Sequence, residues 1–231
     1  MKTKIISLLL CVGMVVACNN TQKGIGIGAG GGALLGGVIG HFAGNTAVGA
    51  AIGGIVGAGT GAIIGKKMDK AKAEAQAALQ QQAQVESVTD ANGLEAVKVT
   101  FDSGILFATG KSTLSATAKN SLAKLSTVLK NNNDCDVAIQ GYTDNAGWKG
   151  STAAQSAQKN QALSLDRATA VSQYLLSLTV PASQIKSVEG LGESNPVASN
   201  ATASGQAQNR RVEIYLYASE KMIQAAQQQA Q

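Results

Sequence analysis

Residues 137–144 read VAIQGYTD, a short apolar run that leads into glycine, tyrosine, threonine and aspartate. The apolar run is typical of a short buried strand. Further strand and helix patterns flank it on both sides, with apolar residues alternating in the strands and recurring at helical spacing in the helices. In chain order they are strand 97–101, helix 115–129, strand 137–139, helix 163–178, strand 185–189 and strand 211–217. This β-α-β-α-β-β order predicts an α+β sandwich with both helices on one face of the sheet.

Four motifs follow one another in the same region. They are Gly141-Tyr142-Thr143-Asp144, Asn160-x-x-Leu163-Ser164-x-x-Arg167-Ala168, Gly190-x-Gly192-Glu193-Ser194-Asn195-Pro196 and Asn209-Arg210-Arg211-Val212-Glu213-Ile214. In this order, over about 94–217, they resemble the OmpA-like peptidoglycan-binding domain. The resemblance implies a domain that binds the cell wall without catalysing a reaction.

The resemblance also implies a ligand, the stem peptide of peptidoglycan with its meso-diaminopimelate residue. The side chain of this residue ends in an ammonium and a carboxylate, which need a fixed negative charge and a fork of donors respectively. Asp144 matches the family's aspartate for the ammonium, and Arg167 matches its arginine for the carboxylate. The backbone at Thr143 and Asp144 would help to hold the carboxylate. The other residues that match the family's pocket are Asn160, Leu163 and Arg211.

Each of these residues also has an ordinary structural interpretation. An aspartate at a strand end often caps a turn, and an arginine in the middle of a helix is usually solvated. The Arg210–Arg211 pair could form ion pairs with Glu189 or Glu193, and Leu163 could belong to the core.

The spacing of the two main residues departs from the family. Asp144 and Arg167 are 23 positions apart, which is longer than the family spacing. The extra residues are rich in Gly, Ser, Ala, Gln and Lys around Trp148, and they predict an inserted loop at the rim of the pocket. Such an insertion costs little free energy, so the fold should tolerate it. Trp148 could cover the ligand, stack on a sugar or pack onto the domain.

The N-terminus has the layout of an export signal. Residues 1–18 read MKTKIISLLLCVGMVVAC, with two lysines, an apolar run, small residues and a cysteine. The end of this stretch resembles the lipobox of bacterial lipoproteins, which implies a signal peptide over 1–17 and acylation of Cys18, including palmitate. A plain secretory signal is the alternative. By resemblance to Gram-negative lipoproteins, Asn19 favours the outer membrane, with the C-terminal domain in the periplasm.

Glycine recurs at every fourth position in two ladders. The ladders are Gly28, Gly32, Gly36, Gly40, Gly44 and Gly49, Gly53, Gly57, Gly61, Gly65. This spacing gives each helix one bare face, where close packing offsets a cost of about 1 kcal/mol per glycine. The pattern resembles the glycine zippers of envelope proteins and predicts a lipid-anchored helical hairpin over 18–65. The hairpin could associate with a membrane or with copies of itself.

The composition changes again after the zipper. Residues 66–93 are rich in Ala, Lys, Glu and Gln and predict a helical spacer or linker. The wall-binding domain would follow over 94–217, and residues 218–231 would form a Gln/Ala-rich tail.

The composition argues against two further functions. The formal net charge of +5 is spread along the chain without interleaved aromatics, so we expect no nucleic-acid binding. His41 is the one histidine and lies in the glycine-rich stretch, so we expect no enzyme, metal site or cofactor.

The leading hypothesis is a lipoprotein that tethers the outer membrane to peptidoglycan. The alternative is a membrane-active zipper oligomer or pore that the wall-binding domain positions.

Overall fold

The computed structural model describes residues 58–90 and 93–231. The predicted signal peptide, Cys18 and most of the glycine ladders lie outside the described residues. The elements are α1 (Ala58–Leu79), β1 (Gln84–Thr89), β2 (Glu95–Asp102), α2 (Ser103–Leu106), α3 (Ala116–Asn131), β3 (Cys135–Gly141), α4 (Ala153–Ser177), β4 (Ile185–Gly190), α5 (Ala203–Asn209), β5 (Arg211–Ala218) and α6 (Glu220–Gln229). Short 3-10 turns occur at Gln80–Gln82 and Ala182–Gln184.

The strands form one five-stranded sheet in the order β1-β2-β5-β3-β4. Strands β3 and β4 run parallel, and the other neighbours are antiparallel. Strand β5 lies in the centre, where Ile214 pairs with Val99 on one side and with Ile139 on the other. All eight residues of β5 are buried, so the last strand of the sequence is the most enclosed one.

Helices cover one face of this sheet and leave the other to a small aromatic cluster. The main core joins the sheet residues Val99, Ile139 and Ile214 to Leu125 of α3 and Val171 of α4. The opposite face carries Ala96, Ala138, Tyr215 and Tyr217 in a separate cluster. The predicted α+β fold with both helices on one face is therefore confirmed. The edge strand β1 is an addition to the predicted order.

Helix α1 differs from the predicted spacer. It runs without interruption across the boundary that we placed after residue 65. One stripe of α1 is fully buried in the main core, at Ile64, Met68, Ala71, Ala75 and Leu79. These positions recur at three and four residues, so they share one helix face. Residues 58–79 thus belong to the folded domain, which begins well before the predicted residue 94.

The predicted C-terminal tail is also part of the core. Ser219 caps the N-terminus of helix α6, and its hydroxyl accepts a hydrogen bond of 3.1 Å from the Met222 amide. Met222, Ile223 and Ala226 are buried in the same core as α1. At the far end, a Cβ on Gly59 of α1 would lie only 3.1 Å from the Cβ of Ala230, so the two helices approach closely there.

The extra residues between Asp144 and Arg167 lengthen a helix more than a loop. Helix α4 begins at Ala153, ten positions before the predicted start at Leu163. Thr152 and Gln155 form a capping box at its N-terminus, which satisfies backbone N–H groups that would otherwise lack partners. The inserted loop of our prediction is therefore a short loop around Trp148 followed by added helical turns.

No helix within residues 58–90 and 93–231 is long and apolar enough to span a membrane.

Candidate functional site

A cavity of about 490 Å³ opens where β3 ends. Its walls come from the residues around α2, the loop after β3, the first half of α4 and the α5–β5 junction. Gly141 makes this arrangement possible, because a Cβ there would lie 2.1 Å from the carbonyl oxygen of Ser164 on α4. The glycine lets the end of β3 lie against the helix backbone. Thr143 and Asp144 are thus held beside α4.

Asp144 lies in the cavity wall and is almost fully buried, with 6% of its surface exposed. One carboxylate oxygen accepts a hydrogen bond from the Ala146 amide at 3.1 Å. The other oxygen accepts a short hydrogen bond from the Arg210 guanidinium, which makes a charged pair. The carboxylate is therefore fixed in position by a turn on one side and a cation on the other.

Arg167 approaches the same cavity from α4 and is 3% exposed. Its Nε donates to the Lys111 carbonyl oxygen at 3.0 Å, and its guanidinium lies 5.2 Å from the centre of the Phe107 ring. Burial lowers the pKa of Arg167, the positive charge of Arg210 lowers it further, and Asp144 opposes both. The described residues contain no ion pair between Asp144 and Arg167, and the cation that pairs with Asp144 is Arg210.

Three buried polar atoms of the cavity wall have no hydrogen-bond partner in the described part of the chain. They are Nη1 of Arg167, Oγ1 of Thr143 and Oγ of Ser103. A buried polar group without a partner typically costs about 1–3 kcal/mol, so such groups are rarely left unmatched in folded proteins. Of these three atoms, the Arg167 nitrogen is a charged donor, which is suited to an anionic group such as a carboxylate.

Asn160 holds the loop around Trp148 against α4. Its amide nitrogen donates to the Ala146 carbonyl at 3.1 Å and to the Glu193 carboxylate at 2.8 Å. Its amide oxygen accepts from the indole nitrogen of Trp148 at 2.7 Å. Trp148 is therefore packed onto the domain, yet its half-buried side chain still lines the cavity.

Arg211 does not line this cavity, although we predicted that it would. Its Nε donates to Glu213 at 2.7 Å, and its guanidinium stacks on Tyr142 with 3.8 Å to the ring centre. It borders a second cavity of about 680 Å³, next to Glu213. The cause is the register of β5, which begins at Arg211 and sends this side chain to the sheet face that also carries Tyr215.

Five of the six predicted ligand residues meet in one cavity: Thr143, Asp144, Asn160, Leu163 and Arg167. The Thr143 amide does not match its predicted role, because it donates to the Gly192 carbonyl at 2.8 Å and so is already satisfied. The structure adds Arg210, which the sequence motif contains but which we did not select. Its ion-pair partner is Asp144, and that of Arg211 is Glu213, rather than Glu189 or Glu193.

The described residues hold no group of three or more His, Cys, Asp or Glu side chains that could bind a metal ion.

The fold is that of an OmpA-like α+β domain, with a cavity past the end of β3. Residues 106–210 match the model of the OmpA family, and residues 1–69 match the YMGG-like Gly-zipper family. The C-terminal part of the chain is therefore an OmpA-family domain, and an N-terminal glycine zipper precedes it. The resemblance that we inferred from the four motifs is confirmed.

Relatives of known description are similar to part of this chain. The probable lipoprotein YiaD of Escherichia coli K12 is 42% identical over 118 residues, covering 51% of this chain and 47% of YiaD. The peptidoglycan-binding protein ArfA of Mycobacterium tuberculosis H37Rv is 48% identical over 81 residues, covering 35% of this chain and 22% of ArfA. The chain thus spans about half or less of the length of these curated relatives.

A solved structure has the same fold. The cell wall anchor of the T6SS from Pseudomonas aeruginosa superimposes with a TM-score of 0.53 and 29% identity, covering 64% of this chain and 97% of that one.

Proposed function

We propose that this domain binds peptidoglycan by holding the amino-acid end of a meso-diaminopimelate side chain. The observation that carries the proposal is that one cavity contains both the buried carboxylate of Asp144 and the buried guanidinium of Arg167, which has an unpartnered nitrogen. An amino-acid end carries one ammonium and one carboxylate close together. The cavity offers one group of the opposite charge for each.

The expected binding geometry follows from the donors and acceptors in the wall. The ligand ammonium would lie at the Asp144 carboxylate. The ligand carboxylate would accept from Nη1 of Arg167 and from the hydroxyls of Ser103 and Thr143, which lack other partners. Leu163, which lines the same cavity, would contact the methylene groups between the peptide and the amino-acid end.

We further propose that the chain is an outer-membrane lipoprotein that tethers the membrane to the wall. Cys18 would carry the lipid, and acyl chains give stable membrane attachment when two or more act together. The similarity to YiaD, which is described as a probable lipoprotein, supports the proposed lipid anchor. The similarity to ArfA, which is described as peptidoglycan-binding, supports the proposed binding to the wall. Many weak contacts along one polymer would add up through high effective concentration. In this proposal the protein binds the wall and does not act on it as an enzyme.

Binding to purified sacculi tests the site. We expect the wild-type chain to sediment with sacculi, and Asp144→Asn or Arg167→Gln to lower retention by at least about tenfold, because each leaves one ligand charge unpaired. The matched control is Asp166→Asn, a neighbouring exposed carboxylate on α4, which should bind like the wild type. Thermal unfolding of each variant would separate loss of binding from loss of folding. Normal retention of both folded variants would show that the site is wrongly assigned.

A further inference from the structure

The cavity carries more positive charge than the proposed amino-acid end can neutralise. Its wall has one carboxylate, Asp144, against the three cations Lys149, Arg167 and Arg210, which leaves a formal charge of +2. Just outside the wall, Glu193 bonds to Asn160 and Lys159 lies 5.8 Å above the Trp148 ring, so these two charges offset each other. An amino-acid end has no net charge, and the excess would persist when it is bound.

Arg210 already occupies the carboxylate that the ligand ammonium needs. When the ammonium reaches Asp144, two cations compete for the same carboxylate. The ammonium also repels the Arg210 guanidinium, so the Asp144–Arg210 pair is weakened. The side chains of Arg167 and Arg210 differ in how tightly they are held. Arg167 is held by the Lys111 carbonyl and the Phe107 ring, whereas the Arg210 side chain is 37% exposed at the edge of the cavity. Arg210 is therefore the cation that can turn toward a new partner.

We propose that Arg210, assisted by Lys149, recognises a second carboxylate on the bound peptide. This carboxylate would belong to the residue next to diaminopimelate, so the preferred ligand is a stem peptide in which it is free and not amidated. The inference rests on the proposed function. Ligand binding then exchanges the Asp144–Arg210 pair for two pairs, one between Asp144 and the ammonium and one between Arg210 and the second carboxylate.

The local backbone supports a specific role for Arg210. Its amide donates to the carbonyl oxygen of Gln206 in α5, and its own carbonyl accepts from the Ser103 amide at 2.9 Å. The backbone is thus fixed from two sides while the side chain remains partly exposed. A guanidinium on a fixed backbone suits planar, two-point recognition of a carboxylate better than an ammonium would. Arg210 would therefore act as a specificity-determining residue.

The test compares two stem tripeptides that end in meso-diaminopimelate and differ at one group. In one, the preceding glutamate has a free α-carboxylate; in the other, this group is an amide. Affinities are measured by calorimetry with the mature full-length chain in detergent. We expect the wild type to bind the carboxylate form about tenfold more tightly, as one charge-assisted contact would give. In Arg210→Gln the two affinities should become equal.

Two further variants make the outcome clear. Arg210→Lys keeps the charge and should retain part of the preference. Lys119→Gln removes an exposed charge on α3 and should retain all of it. If the wild type binds neither peptide, the proposed function is wrong. If it binds both equally, or if Arg210→Gln keeps the tenfold ratio, the second-carboxylate inference is wrong and the proposed function stands.

Discussion

Asn160 uses both ends of its side-chain amide, and this determines where Trp148 lies. The oxygen accepts from the indole at 2.7 Å, while the nitrogen bonds to the Ala146 carbonyl and the Glu193 carboxylate. One buried residue on α4 thus connects the loop after β3, the loop after β4 and the aromatic wall of the cavity. Because Trp148 is the single tryptophan of the chain, its fluorescence reports on this contact directly.

We expect Asn160→Ala to lower the free energy of unfolding by about 1–3 kcal/mol, because the half-buried indole N–H and the Ala146 carbonyl lose their partner. The emission of Trp148 should shift to longer wavelength as the loop separates from α4. Denaturant unfolding followed by fluorescence measures both effects. Gln158→Ala, an exposed position on the same helix, is the control and should change neither. An Asn160→Ala protein with wild-type stability and emission would rule out this role.

The two adjacent arginines show what a motif leaves open. The sequence identifies Arg210-Arg211 as a unit, but the face that each side chain meets depends on where β5 begins. The strand begins at Arg211, which pairs across the sheet with Asp102 and so points to the face carrying Glu213. Arg210 remains at the end of α5 and reaches Asp144. A shift of one residue in this boundary would exchange the two roles.

At the scale of single elements, α1 shows how composition can hide a buried face. Its sequence is rich in Ala and Lys, which favours a solvated helix. The buried stripe contains the small residues Ala71 and Ala75 beside Ile64, Met68 and Leu79. Alanine contributes little to an apolar pattern, so the stripe is weak in the sequence. In the structure, its small side chains allow the helix to pack closely on the sheet and α3.

Replacing Met68 tests whether α1 is a structural part of the domain. We expect Met68→Ala to lower the free energy of unfolding by about 2–4 kcal/mol, because it removes a fully buried side chain and leaves a cavity. Lys66→Ala, on the exposed face two residues earlier, should have little effect. Chemical denaturation of the full-length chain compares them. Equal stabilities of Met68→Ala and wild type would restore the spacer interpretation.

The other elements differ in how well the sequence predicted them. Strands β2, β3, β4 and β5 and the helices α3 and α4 were predictable because a clear apolar face recurs in each. Strand β1 was not, since Val85 and Val88 are its only half-buried residues on an exposed edge. The early start of α4 had a visible signal in the Thr152-x-x-Gln155 capping box, although the turns that follow lack an apolar stripe.

At the scale of the whole domain, α1 connects two opposite ends of the sheet. In its first half, Lys67 pairs with Asp134 just before β3, and Gly65 lies against Glu95 at the start of β2. Just beyond its end, Gln84 pairs with Thr100 near the end of β2. The cavity lies past the ends of β2 and β3. The start of α1, a helix about 33 Å long, therefore lies toward the end of the sheet opposite the cavity.

With the proposed lipid at Cys18, this polarity predicts which end of the domain faces the membrane. In vesicles with a headgroup-linked quencher, a fluorophore at Gln228→Cys, near the start of α1, should be quenched more than one at Thr109→Cys, an exposed position in the cavity wall. The reason is that the proposed anchor at Cys18 precedes α1 in the chain, and the start of α1 is farther from the cavity than its end. A flexible Gly/Ser insertion ahead of Ala58 lengthens the connection to the anchor and should reduce the difference. Equal quenching without the insertion would mean that the entry point of α1 does not orient the cavity away from the membrane.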